Sequence, residues 1–119
     1  MINLSELKRE NYKIIWLDGD VLEIRQPRQK TLEKLIKMAR LYESKMDEID
    51  QLQDDELEKT ITELENMLSI VYDLLFDIFS NNTNKKKISR EDIEDSFDLN
   101  TAFEVITDYL SFVYKDLGE

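Results

Sequence analysis

The sequence predicts a mainly α fold with a small β part. It reads as an N-terminal β-hairpin over residues 12–25, a long helical hairpin over 31–80 and two C-terminal helices over 89–117, in one domain. Three observations predict it. Two runs rich in β-formers flank Asp18-Gly19, apolar residues then recur three and four apart through two long stretches, and polar capping residues precede two shorter apolar patterns. At 119 residues, with 41% hydrophobic and 36% charged, the chain is long enough to bury about two-thirds of the surface it exposes when unfolded.

Leu4 to Glu10 reads as a short helical turn. The runs Tyr12–Leu17 and Asp20–Arg25 follow. Asp-Gly between them suits a two-residue type I′ turn, whose two positions both need positive φ. That turn pairs Leu17 with Asp20, Ile15 with Leu22 and Lys13 with Ile24. One face then holds Ile15, Leu17, Leu22 and Ile24, and the other holds Tyr12, Ile14, Trp16 and Val21. Both faces are apolar. A lone two-stranded ribbon is marginal in water, so helices must cover at least one of them. The second is either covered too or meets a strand or subunit from outside, because two free edges are templates for pairing. Pro27 closes the hairpin, having no N–H to give a ladder.

Helix A spans Thr31 to Ile49, with Leu32, Leu35, Ala39, Tyr42, Met46 and Ile49 on one face. A polar corner leads to helix B, Asp55 to Ser80, capped by Asp54 or Asp55. Its heptad seam is Leu57, Ile61, Leu64, Leu68, Val71, Leu75 and Ile78, and such a seam needs something to pack against. Two heptad-bearing helices joined by a short link form an antiparallel pair. Over its last turns helix B keeps only Asn66, Ser69, Asp73 and Asp77 as a polar stripe. A helix with one neighbour needs a far narrower apolar arc. Helix B is therefore either the centre of the bundle or partly a subunit interface.

Asn81 to Lys87 reads as a polar, mobile loop with a basic end. Ser89-Arg-Glu-Asp92 resembles a capping box and opens helix C, which runs to Ser96. Asp98 or Asn100 caps helix D, whose face is Leu99, Ala102, Phe103, Ile106, Tyr109, Leu110, Val113 and Leu117.

Charge is spread unevenly along the chain. Residues 1–40 carry nine Lys/Arg against six Asp/Glu, 41–80 two against twelve, and 81–119 five against nine, giving −11 in all. An acidic middle repels phosphates and anionic lipid, so nucleic acid and membrane are poor partners and a basic protein surface is favoured. The start Met1-Ile-Asn-Leu-Ser-Glu6 lacks the basic and apolar runs of a signal peptide, and no segment has the length of a membrane span. A soluble, cytoplasmic protein is expected.

Candidate chemistry is scarce. With no His and no Cys, ligands for a zinc-type site and the usual base of a nucleophilic pair are missing. The acidic run from Glu91 to Asn100 invites a calcium reading, but no register supplies the glycine that an EF-hand loop needs at its sixth position. No catalytic, cofactor-binding or metal-binding residue is assigned, and the chain is expected not to be an enzyme. The residues that suit contact with other protein are Trp16 on the hairpin, Tyr72, Phe76 and Phe79 on helix B, and Phe112 on helix D.

The order of parts carries a resemblance. A hairpin with Trp16 before Asp18-Gly19 is followed by two long acidic helices, a polar loop into Ile88-Ser-Arg-Glu-Asp-Ile93, and an amphipathic helix beginning Leu99-Asn-Thr-Ala-Phe-Glu-Val-Ile. In length, acidity and helix order this resembles the small tail assembly chaperones of long-tailed bacteriophages that infect Gram-positive bacteria. The resemblance implies a protein that self-associates and coats the tape measure protein during tail assembly. Such a coat keeps a long hydrophobic helix soluble and leaves as tail-tube protein polymerises around it, in the cytoplasm of the host. The alternative reading is an acidic regulatory or DNA-mimic protein that binds a basic protein target.

Overall fold

A computed structural model describes residues 10–49 and 51–118, with side chains as far as Lys115. The turn expected over residues 4–10 falls, except for Glu10, outside the described residues, as does the side chain of Leu117. The molecule is an elongated slab of 58 × 35 × 20 Å.

Strands β1 (Tyr12–Ile15) and β2 (Val21–Ile24) pair antiparallel. The hairpin is where the sequence expected it, but its register differs by one residue. The Trp16 N–H donates to the Asp20 carbonyl at 2.7 Å, and the Gly19 N–H to the Trp16 carbonyl at 2.9 Å. Leu17, Asp18 and Gly19 thus form a three-residue loop, in which only Gly19 has a positive φ, of 90°. Asp-Gly fits this loop as well as the two-residue one, because a left-handed glycine ends it. Ile15 now lies opposite Val21, Ile14 opposite Leu22, Lys13 opposite Glu23 and Tyr12 opposite Ile24. A one-residue slip exchanges the faces of one strand relative to the other. Leu22 and Ile24 therefore join Tyr12, Ile14 and Trp16, whereas Val21 joins Ile15 and Leu17.

Four helices follow: α1 (Gln29–Ile49), α2 (Asp54–Ser80), α3 (Arg90–Ser96) and α4 (Leu99–Gly118). The expected ends hold to within about two residues, inside the usual uncertainty of helix boundaries, except that α4, expected to stop at Lys115, runs on through Gly118. Ser89 caps α3 by accepting the Asp92 N–H at 3.0 Å, and Asp98 caps α4 by accepting the Thr101 N–H at 2.7 Å. That hydrogen bond holds the Asp98 carboxyl below the usual carboxylate range. The cap of α2 differs from expectation. Gln53 occupies the position without a side-chain bond, and Asp54 and Asp55 sit in the first turn, where acids still complement the helix dipole.

Helix α2 packs against α1, α3 and α4. Its buried residues include Met67, Val71, Leu74, Leu75, Ile78 and Phe79. Neighbours on several sides account for most of the wide apolar arc, Ile70 staying half exposed, so α2 is the centre of the bundle. The seam is buried from Leu64 onward, except for half-buried Leu68, while Ile61 is exposed. The hairpin closes one side of this core. Trp16 meets the Phe79 ring edge-on, with centroids 4.8 Å apart, and the Tyr109 hydroxyl donates to the Arg25 carbonyl at 2.9 Å. Tyr12 donates to the Asp108 carboxylate. Burial pushes both tyrosine hydroxyls up from their ordinary value, with Asp108 adding to the effect at Tyr12.

The segment expected to be a mobile polar loop is instead tied to the sheet. Arg25 N–H donates to the Asn81 carbonyl at 3.0 Å, Thr83 N–H to the Glu23 carbonyl at 2.8 Å, and Glu23 N–H to Asn84 Oδ1 at 2.9 Å. Residues 81–84 thereby cover the outer edge of β2. Asn82 is buried within the loop. Its amide donates to the Phe79 and Lys86 carbonyls at 2.7 and 3.0 Å and accepts the Lys86 N–H at 2.9 Å. The Lys86 ammonium pairs with Asp18 and Asp20 at the hairpin turn.

Candidate protein interface

Of the five aromatic residues singled out for contact, the structure buries two. Trp16 is 7% exposed and Phe79 fully buried, and both pack with Phe97. Both belong to the core, whereas the sequence suggests a contact role for them. The reason is the register and the central place of α2, which turn both rings inward. Tyr72, Phe76 and Phe112 are half-buried at the margin of the core. The Tyr72 hydroxyl donates to the Phe97 carbonyl at 2.8 Å, and Arg90 lies over its ring with the guanidinium carbon 6.0 Å from the centroid. Phe112 leans on Tyr12, centroids 5.5 Å apart. Tyr72 and Phe76 stand one turn apart on α2, and Phe112 stands on α4.

Besides Leu41, Ile61 and Ile70, exposed on the helices, apolar surface is left open among the described residues in two places where several such side chains gather. The first is the outer face of the hairpin. Ile15 is 72% exposed, and Leu17 and Val21 are each more than half exposed. Lys13 and Glu23, opposite one another in the register, share that face. The sequence marks these residues as apolar positions of the hairpin, but a two-residue turn would divide them between two faces. The loop that covers β2 brings Lys86 and Asn84 beside Val21. Lys85 and Lys87 flank that contact and are exposed.

The second open surface is a cleft of about 830 Å³ between the C-terminal half of α1 and α4. Tyr42 of α1 stacks on Phe103 of α4 at 4.0 Å with the rings nearly parallel, and its hydroxyl donates to Asn100. Burial raises the Tyr42 hydroxyl above its ordinary value, with Asp98 contributing. Ala39, Met46, Leu110 and Tyr114 complete the apolar lining, and α4 adds only the small Thr107 and Ser111 between them. Met46 and Tyr114 remain exposed. Glu43, Asp47 and Glu104 rim the cleft, and no Lys or Arg lines it among the described residues. The heptad of α1 marks Tyr42 and Met46 in the sequence. What it does not disclose is that α4 leaves them half covered.

The titrating groups with displaced values serve the fold. Lys86 holds the Asp18 carboxyl below its usual range, and Lys45 does the same for Glu63 on the neighbouring helix. Among the described residues, no three His, Cys, Asp or Glu side chains are gathered to hold a metal ion. No described helix is long and apolar enough to cross a membrane. Both open surfaces suit contact with apolar side chains of another polypeptide, at the turn of a ribbon tied along one edge and in a fixed gap between two helices. Comparison with protein-family models, curated proteins and solved structures finds no match to this chain.

Proposed function

We propose that the protein is a non-enzymatic tail assembly chaperone of the kind made by long-tailed bacteriophages, which associates with itself and binds the tape measure protein while the tail is built. The observation that carries this reading is the pair of open apolar surfaces left beside a complete core. Exposed apolar side chains gathered on fixed elements mark sites of contact with other protein more often than isolated ones do. A protein that coats a long helix needs at least two such contacts, one for its target and one for its neighbour. The net charge of −11 offsets the stickiness of those surfaces and keeps the coat soluble. Many weak contacts along one target then add through avidity. Tail-tube protein displaces the coat as it polymerises, and all of this takes place in the cytoplasm of the bacterial host.

Co-expression tests the reading. A phage tape measure protein that aggregates when made alone is produced with and without this chain. The expected result is a several-fold transfer of the tape measure protein from pellet to supernatant, with the two proteins co-purifying. A tape measure protein that stays insoluble and purifies without this chain overturns the proposal.

A further inference from the structure

We infer that copies of this chain join head to tail, the outer face of the hairpin of one copy seating in the α1–α4 cleft of the next. The inference deepens the self-association in the preceding reading and is independent of what the target is. Ile15, Leu17 and Val21 stand at the turn end of the ribbon as an apolar knob. The cleft is an apolar depression with exposed Met46 and Tyr114 in its lining.

Charge selects the pairing. Residues 11–25 with the adjoining loop 81–88 carry five Lys/Arg against three Asp/Glu, for a net +2. Two of those acids, Asp18 and Asp20, are already paired with Lys86. Lys13, Lys85 and Lys87 have no ion-pair partner among the described residues and stay available around the knob. The cleft offers Glu43, Asp47 and Glu104 with no cation in its lining among the described residues. Hairpin against hairpin sets like net charge against like, and so does cleft against cleft. Like charges across an interface cost affinity, and opposite ones favour both affinity and encounter rate. Knob and cleft share no residue, so one copy can use both at once. A heterologous contact of this kind propagates as a ring or an open chain rather than stopping at a two-fold dimer.

Light scattering on size-exclusion fractions tests this with three full-length proteins: the wild type, a knob variant (Leu17→Glu with Val21→Glu) and a cleft variant (Glu104→Lys with Ser111→Arg). All four substituted positions are exposed, and matching far-ultraviolet circular dichroism keeps misfolding from being read as lost assembly. The wild type is expected to grow in mass with concentration and to shrink as salt rises from about 0.05 to 0.5 M, where screening shortens the reach of charge. Each variant alone is expected to be monomeric. Mixed in equal amounts they are expected to give twice the monomer mass and nothing larger, because one intact knob and one intact cleft remain between them. A mixture that stays monomeric overturns the inference. Assembly that survives both variants also overturns it, while leaving self-association standing. A wild type that is monomeric at every concentration overturns both. If the cleft variant assembles normally but no longer solubilises a tape measure protein, the cleft belongs to the target and the head-to-tail pairing is wrong.

Discussion

The two faces of the hairpin are built from nearly the same kinds of side chain and meet opposite fates. Tyr12, Trp16, Leu22 and Ile24 are buried in the core, Trp16 against α2 and Tyr12 against α4, whereas Ile15, Leu17 and Val21 stand in water. Composition does not separate them, because both faces are rich in the β-branched and large apolar residues that strands favour. What separates them is register, fixed by a three-residue loop, and the presence of helices, among the described residues, on one side only. The two edges differ in the same way. Residues 81–84 bond to β2, while the outward peptide groups of Lys13 and Ile15 on β1 meet no hydrogen-bond partner among the described residues. An apolar face beside an open edge is usually blunted in a monomer. Among the described residues only Lys13 and Glu23 do so, which is the physical ground for assigning this side of the hairpin to contact.

The sharpest way to break the comparison is to truncate one residue from each face. Trp16→Ala removes a ring packed on Phe79 and Phe97 and is expected to cost about 3–5 kcal/mol. Ile15→Ala, at a residue 72% exposed, is expected to change stability by no more than about 0.5 kcal/mol. Urea unfolding of the dilute, monomeric proteins measures both. Equal losses would mean that the outer face is covered within the monomer, and the contrast between the faces would fail.

Next in size is the loop that closes the β2 edge. Asn82→Ala removes three hydrogen bonds, two to carbonyls and one from the Lys86 N–H. At roughly 1 kcal/mol each the expected loss is about 2–3 kcal/mol. Hydrogen exchange should show the amides of Glu23 and Arg25 losing protection along with it, since both donate to this loop. An unchanged exchange pattern at those two amides would show that the edge does not depend on Asn82.

This loop also marks where the sequence stopped being legible. Helix positions could be read because periodicity and caps are local: Ser89 and Asp98 announce their helices within three residues. The closure of β2 is made by residues about sixty positions away, and nothing near Asn81–Asn84 signals a strand partner. Register is ambiguous for a different reason, since Asp18-Gly19 satisfies two turn types and the apolar pattern on both faces removes the usual arbiter. Of the contact residues, Phe79 is ambiguous in the sequence because an apolar arc on α2 looks the same whether it meets one partner or several helices of its own chain, and Trp16 because both faces of the hairpin are apolar. The cleft was half visible, in Tyr42 and Met46, but the small Thr107 and Ser111 that keep it open look like ordinary surface.

Gly19 gives a smaller and more specific test of the register on which the two faces depend. A β-carbon there meets no atom within 4 Å, so the cost of Gly19→Ala comes from its left-handed φ of 90°. That strain is about 1–2 kcal/mol, and Gly19→Asn should cost less because Asn tolerates the region better. Asp18 discriminates the two turns. A type I′ turn requires positive φ at both central positions, so Asp18→Gly would stabilise it. In the three-residue loop Asp18 has no positive φ and pairs with Lys86, so Asp18→Gly is expected to lower stability. Stabilisation by that substitution, read from thermal melts, would restore the two-residue turn and redistribute the faces.

The weakest expected effect is the pH dependence of the tie between loop and turn. Lys86 depresses the Asp18 carboxyl, chiefly through their side-chain hydrogen bond, and Asp18 followed by Asp20 raises the Lys86 ammonium. A depressed carboxylate contributes stability that is complete above its ordinary value of about 3.9 and is lost as pH falls through the lowered one. A raised ammonium contributes stability that is complete below about 10.4 and is lost as pH rises through the higher value. The tie is therefore constant across neutral pH and fades only in acid or strong base. Both groups are solvent-exposed pairs of the kind that salt screens, so the change should be small beside that of Asn82→Ala. Thermal melts of wild type and Asp18→Asn between about pH 7 and pH 3 isolate it, because other carboxylates titrate equally in both. The gap between the two curves should narrow toward acid. A gap that stays constant would mean that Lys86 does not hold the turn, and that the register of the hairpin rests on Gly19 and the buried face alone.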